Sequence, residues 1–251
     1  MSDSLNTSCN FLWLNEVDST NTYAGNHFEE FPDATLIIAH SQSSGRGRKG
    51  RSWLSPPGTN LYASFLMKEW PYPASKASWI ASLATLNLLR SLPGGLDFWL
   101  KWPNDIFCGN KKVAGILCET RVSKSLRAPV IIAGIGVNLN MEKSLLDDIG
   151  QPACSVFSET GEKISIEKFA IGLGKSLGMM YHSACYEGVH CLFTQWRTEN
   201  RVIGREVLLL GDNVLSSSGR IEDIDCDGAI LFTSDDGCRS RFLSGDVSIR
   251  I

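Results

Sequence analysis

A chain of 251 residues, 43% hydrophobic and 20% charged, is long enough for one large domain or for a medium domain beside a small one. Its 24 lysines and arginines face 27 acidic residues, and the net charge of −3 argues against a general nucleic-acid binder. The start, Met1 to Asn6, has neither the basic and apolar regions of a secretory signal nor the arginines of a transit peptide, and no apolar run approaches the roughly 18 residues of a membrane span. A cytoplasmic protein without a membrane partner is expected. The eight cysteines (9, 108, 118, 154, 185, 191, 226 and 238) contain no C-x-x-C pair and read as free, buried thiols. The four histidines lack metal-motif spacing, so no protein-bound metal is expected.

In chain order, Phe11 to Glu16 alternates as a strand, and Asp18-Ser19-Thr20-Asn21 supplies capping side chains for a helix to about Phe28. Thr35 to Ala39 is a buried strand and Leu61 to Met67 another. Pro73 to Leu92 carries Ala77, Ile80, Ala81, Ala84 and Leu88 at helical spacing and ends at Pro93-Gly94-Gly95. Phe98 to Trp102 is a strand. Ile106 to Cys108 and Lys112 to Glu119 form a hairpin about Gly109-Asn110, and Pro129 to Asn138 is a further apolar strand. Ile166 to Tyr186 and Gly188 to Glu199 are helical, although Gly172 and Gly174 weaken the first. Beyond Arg201 come short strands at Glu206 to Leu210, Val214 to Ser217, Ala229 to Phe232, Arg239 to Leu243 and Val247 to Ile251. Their spacing suggests a small barrel. The fold class is α+β: a mixed sheet with packed helices over residues 1–200, then a small SH3-like β-barrel over 201–251.

Ser44 to Trp53 reads SGRGRKGRSW, four cations on a glycine-loosened backbone. It matches G-x-G-x-x-G, but a dinucleotide fingerprint needs a helix to start inside the motif. Trp53-Leu54-Ser55-Pro56-Pro57-Gly58 cannot continue one. The segment is either a loop that closes over an anion or a solvated turn. Three further polar clusters interrupt strand ends. Ser19-Thr20-Asn21 serves as a ligand-binding set or as a plain N-cap. Lys101-Trp102-Pro103-Asn104-Asp105 precedes Lys111 and Lys112. Lys112 shares a face with Ala114 and Ile116, and an ammonium there is costly to bury unless it meets an anion. Gly134-Ile-Gly136-Val-Asn138 marks either close approach of a ligand or sheet packing.

Taken together, Asp18-Ser19-Thr20-Asn21, Gln42 to Trp53, Lys101 to Asp105, Lys112 to Leu117, Gly134 to Asn138 and the terminal Ser248-Ile249-Arg250 resemble the biotin protein ligase family along nearly the whole chain. The resemblance implies a class II synthetase-like catalytic domain. It implies ATP-dependent attachment of biotin to a lysine of a biotin carboxyl carrier protein, through biotinyl-5′-AMP, with Mg²⁺ accompanying ATP. It assigns Arg48, Lys112 and Asp105 to catalysis, the last as acceptor or base for the incoming lysine. Ser19, Thr20, Asn21, Gln42, Arg46, Arg48, Lys112, Gly115 and Gly134 go to biotin. Arg46, Arg48, Arg51, Trp53, Asn104, Lys112, Asn138 and Arg250 go to ATP or the adenylate, with Trp53 over adenine and Asn138 reading its edge. Residues 43–55 are then expected to order over the adenylate and exclude water.

The first predicted strand begins at residue 11, which leaves no room ahead of it for the winged helix of larger relatives, so no DNA partner is expected. A homodimer stays open. Three other readings compete. A lipoate or octanoate ligase shares the fold but lacks the GRGRxGRxW loop. A non-catalytic nucleotide- or RNA-binding module would use the loop and Trp53 for stacking. A biotin-responsive DNA-binding regulator would need the missing domain.

Overall fold

The computed structural model describes residues 9–123, 126, 128–210 and 216–249. The first part of the chain runs β1 (Asn10–Val17), α1 (Thr20–His27), β2 (Thr35–Gln42), β3 (Leu61–Met67), α2 (Ala74–Arg90), β4 (Phe98–Lys101), β5 (Asp105–Cys108), β6 (Lys111–Arg121) and β7 (Val130–Val137). Four helices follow: α3 (Lys143–Asp147), α4 (Val156–Thr160), α5 (Ile166–Glu187) and α6 (His190–Glu199). The chain closes with β8 (Glu206–Leu210), β9 (Ser217–Ile224), β10 (Ile230–Ser234), β11 (Arg239–Phe242) and β12 (Asp246–Ile249).

The larger sheet has the order β1-β2-β3-β7-β6-β5-β4, with β1 parallel to β2 and the remaining neighbours antiparallel. Side chains alternate across such a sheet, and β7 shows what each face is for. Ile131, Ala133 and Ile135 enter the main core with α2 and α5. Val130 and Ile132 pack instead with Ala24 and Phe28 at the α1 end. Continuing along that second face, the residues are Gly134 and Gly136. The apolar layer stops there and leaves space above the sheet.

α2 buries the expected stripe of Ala77, Ile80, Ala81 and Ala84 but also Trp79, Leu83, Leu86 and Leu89, because the sheet, α5 and α6 pack on it from different sides. α5 starts at Ser165, whose hydroxyl accepts from the Lys168 amide, and buries Leu173, Leu177, Tyr181 and Ala184. The Tyr181 hydroxyl donates to Asp33 Oδ2 at 2.8 Å and accepts from the Glu69 amide at 2.9 Å, while Asp33 Oδ1 accepts from the Lys68 amide at 2.7 Å. Burial, reinforced by the Asp33 carboxylate, pushes the phenol above its ordinary range. Tyr181→Phe leaves Asp33 and the Glu69 amide short of a partner and should destabilise the protein by about 1–3 kcal/mol, read as a lower urea midpoint.

The small C-terminal unit, where a barrel is expected, is a sheet whose closure is not seen among the described residues. It is a five-stranded antiparallel sheet in the order β11-β10-β9-β8-β12, and among the described residues β11 and β12 do not pair with each other. The strand expected at Val214 to Ser217 lies partly outside the described residues, and β9 begins only at Ser217. The sheet is welded to the first part of the chain. Val207, Leu209, Ile221, Ile230, Phe232 and Val247 belong to the same core as α2 and β4, and the buried indole of Trp102 donates to Gly228 O at 2.8 Å. The eight cysteines are free, but only Cys108 and Cys154 are buried, whereas Cys191, Cys226 and Cys238 are exposed. Among the described residues no helix is long and apolar enough to cross a membrane.

Candidate active site

The space above Gly134 and Gly136 is a cavity of about 230 Å³. Its floor is the site face of three strands. Gly115 on β6 pairs with Gly136 on β7, Leu117 with Gly134, and Tyr62 and Ser64 of β3 lie opposite Gly136 and Gly134. The Trp53 indole rests on this floor. A Cβ built on Gly136 would sit 2.5 Å from the ring and one on Gly115 3.1 Å from it, so a flat aromatic fits there only because both side chains are absent. The buried Trp53 Nε1 has no hydrogen-bond partner, an exception to the usual pairing of buried donors.

One end of the cavity is closed by short polar side chains. Gln42 Oε1 accepts from the Thr20 amide at 2.8 Å and from Thr20 Oγ1 at 3.2 Å, and Gln42 Nε2 donates to Ser55 Oγ at 2.9 Å. Ser64 Oγ lies 2.8 Å from Thr20 Oγ1 and 2.6 Å from Asn21 Oδ1. Asn21 Nδ2 donates to Leu117 O at 3.1 Å and to Glu119 Oε2 at 2.9 Å. The helix start that supplies Ser19, Thr20 and Asn21 uses no side-chain cap bond. Thr20 and Asn21 spend their side chains on Gln42, Ser64, Leu117 and Glu119 instead of on capping the helix.

The rest of the lining is cationic. Arg46, Arg48, Arg51, Lys101 and Lys112 line the cavity against two carboxylates, Asp105 and Asp246. In a chain of net charge −3 this is a local excess of positive charge, and it selects an anion. Lys112 Nζ lies 2.7 Å from Asp105 Oδ1 and 5.3 Å from the centre of the Trp53 ring, its side chain 16% exposed. Lys101 Nζ stands 4.6 Å above the Phe107 ring, and burial pulls its pKa below the ordinary lysine value, with the Asp105 carboxylate opposing and the Lys112 charge assisting. An ammonium held this way gains from an incoming anion. Arg48 Nη1 donates to Asn104 Oδ1 at 3.1 Å and to Gly245 O at 3.4 Å. Asn104 donates in turn to Ile116 O. Arg51 pairs with Asp246, and Lys49 Nζ lies 3.4 Å from the same carboxylate, so the basic loop reaches across to the small sheet.

Ser19, Thr20, Asn21, Gln42, Arg46, Arg48, Arg51, Trp53, Asn104, Asp105, Lys112, Gly115 and Gly134 thus converge on one cavity from six segments of the chain. One expected residue does not join them, and another lies outside the described residues. Asn138 is 3% exposed and outside the lining. Its Nδ2 donates to Cys154 O at 3.1 Å and its Oδ1 accepts from Asn60 at 3.3 Å, so it brackets the chain behind β7 rather than offering an edge to a base. Arg250 lies outside the described residues. The structure adds Lys101, Gly136 and Asp246 to the lining, and places Ser64 behind it, in contact with Thr20 and Asn21. Ser64 and Lys101 each break an apolar strand, a signal visible in the sequence. Asp246 has no such signal, because only the docking of the small sheet brings it near the loop.

The mixed sheet, its helices and the appended small sheet make up the class II synthetase-like fold of solved biotin protein ligases. The protein superposes on the one from Aquifex aeolicus in complex with biotin and ATP with a TM-score of 0.80 at 29% identity, covering 96% of this chain and 98% of that one. Residues 13–138 match the biotin/lipoate A/B protein ligase family, and residues 202–250 match the biotin protein ligase C terminal domain. The chain belongs to that family and carries the C-terminal domain of its biotin protein ligases. It is 32% identical to the bifunctional ligase/repressor BirA of Salmonella typhimurium over 97% of this chain and 75% of that protein. It is 29% identical to the biotin–[acetyl-CoA-carboxylase] ligase of Paracoccus denitrificans over 87% and 92% of the two chains.

Proposed function

We propose that this single cavity carries out both halves of an ATP-dependent biotin–protein ligase reaction. In the first, the biotin carboxylate attacks the α-phosphate of ATP, giving biotinyl-5′-AMP and pyrophosphate. In the second, a lysine amine of a biotin carboxyl carrier protein attacks the acyl carbon and AMP leaves. The observation that carries this reading is the polarity of the cavity: a hydrogen-bonding end at Thr20 and Gln42, a glycine floor, and cations from the loop, β4 and β6 around the rest of the lining. A ureido head fits the first, fused rings the second and a triphosphate the third.

Anion attacks anion in the first step, so the site must supply positive charge held in advance. Lys112 and Arg48 stabilise the α-phosphate as charge develops, and Arg51 acts on the nucleotide from the loop, while Arg46, its guanidinium held by Glu119, contributes through its backbone. Trp53 walls the adenylate, with its unpaired Nε1 as a free donor. Asp105, released by Lys112 to the phosphate, accepts a hydrogen bond or a proton from the incoming amine. Arg250 is assigned to the phosphates on the resemblance alone. ATP enters as its magnesium complex. Magnesium would be carried on the phosphate oxygens and would offset their charge there.

Incubation with a biotin carrier domain, biotin and Mg-ATP should add one biotin to the carrier by intact mass, only when ATP is present, and undiminished by excess lipoate. Transfer of lipoate to a lipoyl domain instead would move the chain to the sister activity.

A further inference from the structure

Glu119 is a carboxylate beside two apolar neighbours on the sheet, Leu117 and Ile132. It projects from the site face of β6, opposite Ile132 and two residues beyond Leu117, with its side chain 16% exposed. A charge so placed is costly unless it is paired. Both of its partners belong to the cavity, though Glu119 itself does not line it. Oε2 accepts from Asn21 Nδ2 at 2.9 Å, and Oε1 accepts from Arg46 Nη2 at 2.8 Å, with Arg46 Nη1 3.4 Å from Oε2. Asn21 is the wall at the closed end, in contact with the Gly134 floor, and Arg46 belongs to the basic loop.

We propose that Glu119 is a positioning residue that couples closure of the basic loop to the closed end of the pocket, so that the loop latches only over a correctly built biotin site. The proposal rests on the ligase reading above. With the loop down, the Arg46 guanidinium neutralises the carboxylate through a forked pair. With the loop lifted, Glu119 keeps only the Asn21 amide and is left with an uncompensated charge against Leu117 and Ile132. The pair therefore favours the closed state, and the same carboxylate holds the Asn21 amide in the one orientation in which its Oδ1 meets Ser64. The consequence is retention of biotinyl-5′-AMP until the carrier arrives.

The test uses the full chain. Adenylate is formed from labelled biotin and Mg-ATP, the complex is isolated, and escape of label is followed after a chase with unlabelled biotin. Glu119→Gln keeps an acceptor for Asn21 but loses the charge that meets Arg46. It should release adenylate about tenfold faster, the worth of one charge-assisted hydrogen bond. Arg46→Ala should do the same, and the double variant should be no faster than either single one. The KM for biotin should rise more in Glu119→Gln than its maximal rate falls, with a thermal midpoint close to that of the wild type. Release by Glu119→Gln within twofold of wild type, or fully additive effects in the double variant, would overturn the coupling. A wild-type chain that forms no adenylate would overturn the ligase reading itself, and the two failures are distinct.

Discussion

Lys112→Ala is expected to slow adenylate formation by roughly 10²–10³-fold, the usual cost of removing one preorganised charge from a developing anion. The side chain is neither surface nor core. Its ammonium is held between Asp105 Oδ1 at 2.7 Å and the face of Trp53 at 5.3 Å, inside a cavity whose other cations come from the loop and from β4. The fold should survive, because the backbone of Lys112 keeps its bonds to Pro152 O and from the Cys154 amide. Pyrophosphate release at saturating biotin and ATP is the measurement. Lys111 is the matched control. It is one residue away but on the other side of the strand, in an exposed ion pair with Glu159 at 2.9 Å, and Lys111→Ala should change the rate by less than about twofold. Lys112→Arg should recover only part of the rate, since a planar fork does not replace a point charge. If Lys112→Ala keeps a tenth or more of the wild-type rate, the charge-stabilising role passes to Arg48 or Lys101.

Gly134→Ala is expected to weaken biotin binding by about 10²-fold, although it adds a single methyl group. That methyl would lie 2.4 Å from Asn21 Oδ1 and 2.9 Å from Asn21 Cγ and Nδ2. An ordinary surface asparagine would swing away. This one is held by Ser64 on its oxygen and by Leu117 O and Glu119 on its nitrogen, so either the closed end or the strand must move. A displacement of about 1 Å at a positioning residue is enough for a loss of that size. Overpacking should also cost about 1–3 kcal/mol of stability. Calorimetric titration with biotin and a urea unfolding curve separate the two effects. Affinity within twofold of wild type would mean that the ligand does not reach this part of the floor.

Much of the architecture is legible without coordinates, for a reason that varies by element. Leu61–Met67 and Glu206–Leu210 are apolar runs bounded by polar residues, and both strands fall at the expected ends. Other elements resist local reading. Gly172 and Gly174 argue against a helix, yet α5 runs unbroken to Glu187, because the Phe11 ring packs so near Gly174 that a Cβ there would lie 2.5 Å from it. The five-residue helices α3 and α4 are too short to show a period. β9, with the sequence SSGRIEDI, is rich in residues that disfavour strands. It is extended because β8 and β10 pair with it on both sides. Asn138 follows the apolar strand as a polar residue at a ligand-facing position should, but Asn60 and Cys154, far away in the chain, engage it from behind.

By itself the sequence determined the chemistry present: a basic glycine-rich loop ending in tryptophan, a lysine at the start of an apolar strand, short hydroxyl and amide side chains at a helix start, and glycines where a strand should have been bulky. Those are local facts, set by residue type and spacing within a few positions, and they were enough to indicate an anionic ligand and to suggest the family. Only the tertiary structure decided which of them meet. Sheet register brings Gly115, Gly134 and Gly136 into one floor. Packing of α1 on that face turns Thr20 and Asn21 inward. Docking of the small sheet delivers Asp246 to the loop, and β6 carries Glu119 to a point between Asn21 and Arg46. These contacts join residues dozens to nearly two hundred positions apart, and their energy exists only once the backbone is already folded, so no local pattern encodes them.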